Sequence, residues 1–492
     1  MKRLILVLAL TPCFQLNGQI DSFDLKTIKN PKFKLNLLEF NVNLRQHSNS
    51  GISDNSGGTT TENYDDINGT FSTRYYSVLN SEQYQGNQNT QISVSGDRVS
   101  GQITNRDINR QSFIGRLQHT SQNRFYFFGD QLQHIVINPS ASTSYSENKQ
   151  SNNDVTNPWI FGGSSERRAQ LNAEIGYGLG RVENVSDARI VLFILDDLRK
   201  EGLLNREPTL EEIDAISDLT IYVKNQRFFD SRIKRIYELK SIDSLLQSQG
   251  ILKKDDVAYH TILQDNWNYS VNKFRQIGWL LQIGFKPSTF FRESESTADF
   301  KVGSNPHLSS NDKSESISNG IALFTKYNWF SPISQVLQND ISAGIEVLAN
   351  NNRTNSTALQ DGNLFNQLSN NSDNISYRIN VRDNFGIYPT NRTYISLYGG
   401  ASLALNSTLN NQLPLAPIQE SINLNLQTGL ETYYYFSPQL RLSCYYNVNY
   451  GSRESENVAV TISQFAANPK SDYNRNITWT SNLQLALTYK LF

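Results

Sequence analysis

"SINLNLQTGLETYYYFSPQLRLSCYYNVNY" occupies residues 421–450. Side chains of successive strand residues point to opposite faces. Ile422, Leu424, Leu426, Thr428, Leu430, Thr432, Tyr434 and Phe436 therefore share one face, and Asn423, Asn425, Gln427, Gly429, Glu431 and Tyr433 the other. After the tight turn at Ser437–Gln439 the pattern resumes, with Leu440, Leu442, Cys444, Tyr446, Val448 and Tyr450 opposed to Arg441, Ser443, Tyr445 and Asn447. The two faces belong in different solvents, although only 38% of the 492 residues are hydrophobic and the mean hydropathy is −0.50.

The same alternation runs from Ile277 to the C-terminus and predicts eight strands there. Weaker patterns at 33–46, 68–80, 88–101, 110–119, 124–138 and 166–181 predict six more. The sum is about 14, within a range of about 12 to 16. Many of the C-terminal strands exceed the roughly 5–6 residues usual in soluble sheets and meet the roughly 9–11 that a membrane strand needs. Short turns ("FSPIS", "YPTNRT", "FSPQL") alternate with Asn/Ser-rich segments at 294–315, 350–373, 407–420 and 452–476, read as long loops. Trp329, Phe330, Phe385, Tyr388, Tyr434 and Phe436 gather beside the turns as an interfacial girdle would. The expected fold is an all-β transmembrane antiparallel barrel with its short turns in the periplasm; a soluble sandwich would share the period but not the strand length.

Residues 1–18 read as a signal peptide: Lys2 and Arg3, an apolar run from Leu4 to about Phe14, and Gly18 before Gln19. A lipoprotein reading would acylate Cys13, against which Pro12 stands. Cys444 is then the one cysteine left, so no internal disulfide is expected. No later apolar run reaches the roughly 18 residues of a membrane helix. The formal net charge of −1 offers no electrostatic case for nucleic acid.

Between 182 and 274 the period becomes helical, dividing the strands into 19–181 and 275–492. "SDARIVLFILDDLRKEG" offers Ser186 or Asp187 as N-cap and Gly202 as stop. Thr209 and Glu212 form a capping box; a third helix stops near Gly250, and a fourth covers about 256–273. Six preceding strands place this α-helical insertion in the periplasm with both termini, if the N-terminus starts there. A helical plug inside the lumen is the alternative.

The chain resembles the outer-membrane β-barrel proteins of Bacteroidota, which are similarly rich in Asn and Tyr and end in an aromatic strand. The closing "LQLALTYKLF" resembles the strand read by the barrel-insertion machinery, with Tyr489 and Phe492 as its signal, though the two are of opposite parity. "GYGLGRVENVSDAR" and "NQRFFDSRIKRIYEL" resemble a theme repeated among such proteins, with no activity attached. The resemblance implies a porin-like protein in outer-membrane lipid.

Charges on the predicted inner face, namely Lys326, Asp340, Glu346, Arg378, Arg382, Glu431 and Arg441, would either sort solutes at a constriction or stiffen the lumen as ion pairs. Arg227, Phe228, Phe229, Arg232 and Arg235 could dock a periplasmic partner, or form a solvated helix face. His47, His119, His134, His260 and His307 are scattered without metal-ligand spacing. "GYGLG" lacks a phosphate-binding lysine and reads as a close-packed strand, and "DDING" (65–69) as a loop. No catalytic set, metal or cofactor is expected. Two functions remain: a channel for small hydrophilic solutes, or a barrel that anchors a helical docking module.

Overall fold

A computed structural model describes residues 32–55, 58–103, 106–127, 132–154, 159–226, 228–253, 257–269, 275–301, 308–360, 363–410, 418–458 and 471–489. The expected signal peptide, Arg227 and Phe492 lie outside them. Six strands come first: β1 (Phe33–Asn55), β2 (Gly58–Asn80), β3 (Tyr84–Ile103), β4 (Arg106–Phe127), β5 (Gln133–Asp154) and β6 (Trp159–Asn184). Four helices follow: α1 (Ser186–Lys200), α2 (Leu210–Lys224), α3 (Ser231–Ser248) and α4 (Val257–Asn268). Eight strands complete the chain: β7 (Gln276–Lys301), β8 (Leu308–Pro332), β9 (Leu337–Gln360), β10 (Asn363–Thr390), β11 (Thr393–Asn410), β12 (Ile418–Tyr435), β13 (Leu440–Val458) and β14 (Ser471–Tyr489).

All 14 strands form one sheet in sequence order, each antiparallel to its neighbours. Register carries the alternation from strand to strand. Ile477, Ser452, Leu424, Leu403, Ile379, Ile345, Thr325, Ile283, Tyr177, Ile135 and Phe125 lie opposite one another in turn from β14 to β4. This apolar face is the outer one, and Leu323, Ile379 and Leu485 are exposed on it. Among the described residues no ladder joins β1 to β14.

Two expectations need correction. The Asn/Ser-rich segments are mostly paired strand: 294–301 and 308–315 belong to β7 and β8, 350–360 and 363–373 to β9 and β10, and "DDING" to β2. Backbone groups pair whatever the side chain, so hydrogen bonding runs on beyond the point where alternation fades. At 120–123, where a break is expected, β4 runs on paired with β3, and only its ladder to β5 is interrupted, where the Asn123 backbone N–H donates to Asn138 Oδ1 (2.8 Å). The chain reverses instead between Phe127 and Gln133.

The helices share a core in which α1 is central. Leu192, Leu195 and Leu198 of α1 meet Ile216, Ile242, Leu246, Leu263 and Trp267, which explains why Ile190–Leu195 is apolar all round. The cap of α1 differs from expectation: Val185 is the N-cap, and Asn184 Oδ1 accepts from the Ser186 backbone N–H (3.0 Å). Thr209 and Glu212 form the full capping box on α2. Gly202 and Gly250 take left-handed φ of 68° and 64° just beyond α1 and α3, where a Cβ would be strained.

The helical module sits at the short-turn end of the sheet. Fully buried Arg275 is the main fastener: its Nε donates to Gln338 Oε1 (2.9 Å) and its guanidinium reaches the carbonyls of Ser334, Gln335 and Leu337 in the β8–β9 turn. Tyr388 lies between two cations, Arg189 of α1 at 4.7 Å and Arg275 at 5.3 Å from its ring. Asp265 of α4 pairs with Arg392 (2.5 Å) in the β10–β11 turn, and Tyr269 packs edge-on to Tyr435 (5.4 Å).

Candidate functional site on the inner face

The outer apolar band has a definite height. On β7 it runs from Trp279 through Leu281, Ile283 and Phe285 to Phe291, and on β8 from Ile317 to Trp329. That is about 40 Å at roughly 3.3 Å per residue, or about 28 Å once strands tilt by about 45°. A bilayer's hydrocarbon core is about 30 Å. The next outward positions are charged: Glu293 pairs with Lys313 (2.9 Å) and Arg167 (3.8 Å). At the turn end Trp279 and Trp329 lie directly opposite each other, as residues of an interfacial girdle would.

One residue out of register, the sheet is polar. Asn425, Ser402, Asn380, Gly344, Lys326, Gln282, Gly178, His134 and Tyr126 face one another in turn from β12 to β4. Across β4–β8 the turn end is filled: His134 is fully buried, 3.2 Å from Gln282 Nε2 through its own Nε2 and 5.0 Å from the Tyr126 ring. A Cβ on Gly178 would strike the His134 ring, and at Gly180, which has φ 93°, a Cβ would strike the Trp279 carbonyl. "GYGLG" is thus the close-packed strand expected of it. Across β10–β12 the turn end is filled as well, by the buried Tyr388, Tyr394 and Tyr433, and farther along these strands Asn380, Arg382, Asn425 and Gln427 stay exposed.

All seven charges expected on the inner face lie on it by register. Lys326 pairs with Glu174 across the intervening β7, and Glu346 lies 3.8 Å from Arg378 and 4.0 Å from Lys286. Asp340 accepts from Gln338 Nε2 (2.6 Å). Arg441 lies over Tyr433 and Tyr435 at 6.0 and 5.8 Å, and Arg382 over Tyr398 at 5.6 Å. Glu431 stands opposite Ser396 and Tyr445. Glu174 and Lys286 complete these pairs and were not singled out in the sequence, although their parity already placed them on this face. Toward the other end a cavity of about 690 Å³ opens between β4 and β10, walled by Ser112, Ser146, Ser164, Ser294 and Ser314, with Glu166 bridging Arg168 (2.7 Å) and Arg292. Hydroxyls and paired charges make a wettable wall. Among the described residues no group of His, Cys, Asp or Glu is placed to hold a metal ion.

On the module, Phe229 is fully exposed, and Ile233 and Ile236 continue its stripe along α3 with Arg232 beside them. Phe228 packs on Tyr237 (5.2 Å). Arg235 is spent partly on Glu238 (3.9 Å). Tyr489 closes β14, opposite Leu440.

Fourteen antiparallel strands in sequence order, apolar outside and polar inside, are the wall of a β-barrel. No protein-family model matches the chain, and no curated protein matches it. Among solved structures it is similar to outer-membrane β-barrel proteins. The ferric yersiniabactin uptake receptor FyuA of Yersinia pestis aligns at 8% identity and TM-score 0.33, over 94% of this chain and 73% of that one. The translocator domain of the autotransporter NalP of Neisseria meningitidis aligns at 8% and 0.23, over 84% and 91%. The β-domain of the Bordetella autotransporter BrkA aligns at 8% and 0.22, over 82% and 98%.

Proposed function

We propose that the chain is an integral outer-membrane barrel whose lumen passes small hydrophilic solutes. The observation that carries this is the stretch of exposed polar inner face at Asn380, Arg382, Asn425 and Gln427 on β10 and β12, behind a bilayer-high apolar outer face. In lipid, unpaired backbone groups cost several kcal/mol each. The free edges of β1 and β14 therefore close on one another, and their opposite strand directions suit an antiparallel seam. The short turns and the helical module face the periplasm. Purified full-length protein in a planar bilayer should give stable unitary conductance; folded, lipid-inserted protein that leaves the membrane insulating would refute the channel.

A second reading concerns the module, and the bare Phe229–Ile233–Ile236 stripe favours it. The hydrogen bonds, ion pair and ring contacts that fasten the module to the sheet come from α1, α4 and the chain beside them, so α3 is turned toward the aqueous compartment. Its apolar stripe with Arg232 and Lys240 suits an acidic, apolar-anchored segment of a soluble envelope protein. A photo-cross-linker at 229 should trap one such protein, and Arg232→Glu should abolish the adduct. Adducts to lipid alone, or adducts indifferent to Arg232→Glu, would refute it.

A further inference from the structure

We infer that the inner wall around Arg382 is a binding station for a small oxyanion, a carboxylate or a phosphate, on the solute's path. The inference rests on the channel reading and specifies what passes. A recess of about 220 Å³ on the inner face of β9–β12 is lined by Ser342, Asn380, Arg382, Ser402, Asn425 and Gln427, and no carboxylate lines it. The cross-strand neighbours of Arg382 are Ser342 and Gly400. Both are small, so the guanidinium fork is left open above the floor of the recess.

Among the described residues Arg441, like Arg382, lies against tyrosine rings, whereas other cations of the wall are paired with carboxylates. Lys326 is matched by Glu174, and Arg378 and Lys286 share Glu346. Arg382 makes no ion pair among the described residues; the Tyr398 ring at 5.6 Å steadies one side of it. A guanidinium binds carboxylate or phosphate through two parallel N–H donors, a geometry that an ammonium cannot reproduce. Asn380 and Ser402 face each other in the row beside Arg382, Asn425 extends that row, and Gln427 faces Gly400. Their amide N–H and hydroxyl groups supply the further donors that a second or third oxygen requires. The net charge of −1 gives the whole chain no attraction for anions, so selection has to be local. A wet, open recess holds an anion weakly enough for release, as conduction demands.

The test uses the full-length protein in planar bilayers. Under a KCl gradient the reversal potential should report chloride preference. Inorganic phosphate or succinate at millimolar concentration should reduce unitary current, and comparison of the two ranks the oxyanions. Arg382→Gln should raise the half-blocking concentration about tenfold and move the reversal potential toward cation preference. Arg382→Lys, which keeps the charge, should retain the reversal potential but not the block. Arg453→Gln, also on the inner face but outside the recess, should change neither block nor preference by as much. Unchanged heat-modifiable migration on gels shows that each variant folds. A conducting pore whose block and preference are the same in Arg382→Gln overturns the inference and leaves the channel standing. Absence of any conductance overturns the channel and the inference together.

Discussion

Exchange of Leu426 and of its neighbour Asn425 for arginine separates the two faces of β12 by one residue. Leu426 lies on the outer face, opposite Ala401 and Tyr450, near the middle of the band from Ile422 to Tyr434. Asn425 is exposed on the inner face, opposite Ser402 and Gly451. An arginine on the lipid face near mid-membrane costs about 2–4 kcal/mol, and withdrawal of a leucine from apolar surroundings costs about 1.5–3 kcal/mol more. Leu426→Arg should therefore lose roughly 3.5–7 kcal/mol, about three-hundredfold or more in the folded-to-unfolded ratio at about 1.4 kcal/mol per tenfold. Asn425→Arg, bathed in the lumen, should lose less than about 1 kcal/mol. The assay is reversible urea unfolding from lipid vesicles, followed by tryptophan fluorescence. Equal losses for the two variants would refute the assignment of faces. So would a loss confined to Asn425→Arg.

Arg275→Met removes the guanidinium donors that reach Gln338 and the β8–β9 turn while keeping the bulk of the side chain, and each hydrogen bond from a charged group is worth about 1.5–3 kcal/mol. Limited proteolysis should then release fragments from 186–269 well before the strands are cut. The α2 capping box gives a pH dependence. The side-chain hydrogen bond from Arg206, with the Thr209 backbone N–H, holds the Glu212 carboxyl down at about 2 from its ordinary 4.5. Its folded-state value is depressed, so its contribution is full above pH 4.5 and is lost as pH falls through about 2. Helical circular dichroism of Glu212→Gln should show a flatter acid transition across that window. Gly178→Val would drive a side chain into the His134 ring; it should prevent folding into vesicles, whereas Gly451→Ala, whose nearest obstacle is the Thr478 hydroxyl (2.8 Å), should fold with a small loss.

How much could be read in advance followed from which signal was local. Alternation such as Ile422–Tyr434 is decided by strand geometry and solvent alone, so the strand count, the two faces and all seven inner charges were legible. Thr209 with Glu212 and the glycine stops were legible because a cap is settled within four residues. Strand ends were not: the paired stretches at 294–301 and 363–373 carry no hydropathic period, and ladder hydrogen bonds need only a partner backbone. The cap on α1 was misplaced by similar logic, since Asn184 reaches forward from the end of β6.

The sequence by itself determined that this chain makes long strands with an oily and a watery side and carries a helical insertion, because a period of two or of 3.6 residues is a property of the local backbone. Tertiary structure alone decided which charges meet, that Arg382 is left without a carboxylate while Lys326 and Arg378 are not, that the turn end of β4–β8 is packed shut over Gly178, and that Arg189 and Arg275 clasp Tyr388. These are contacts between residues tens to hundreds of positions apart, and only register and curvature bring them together.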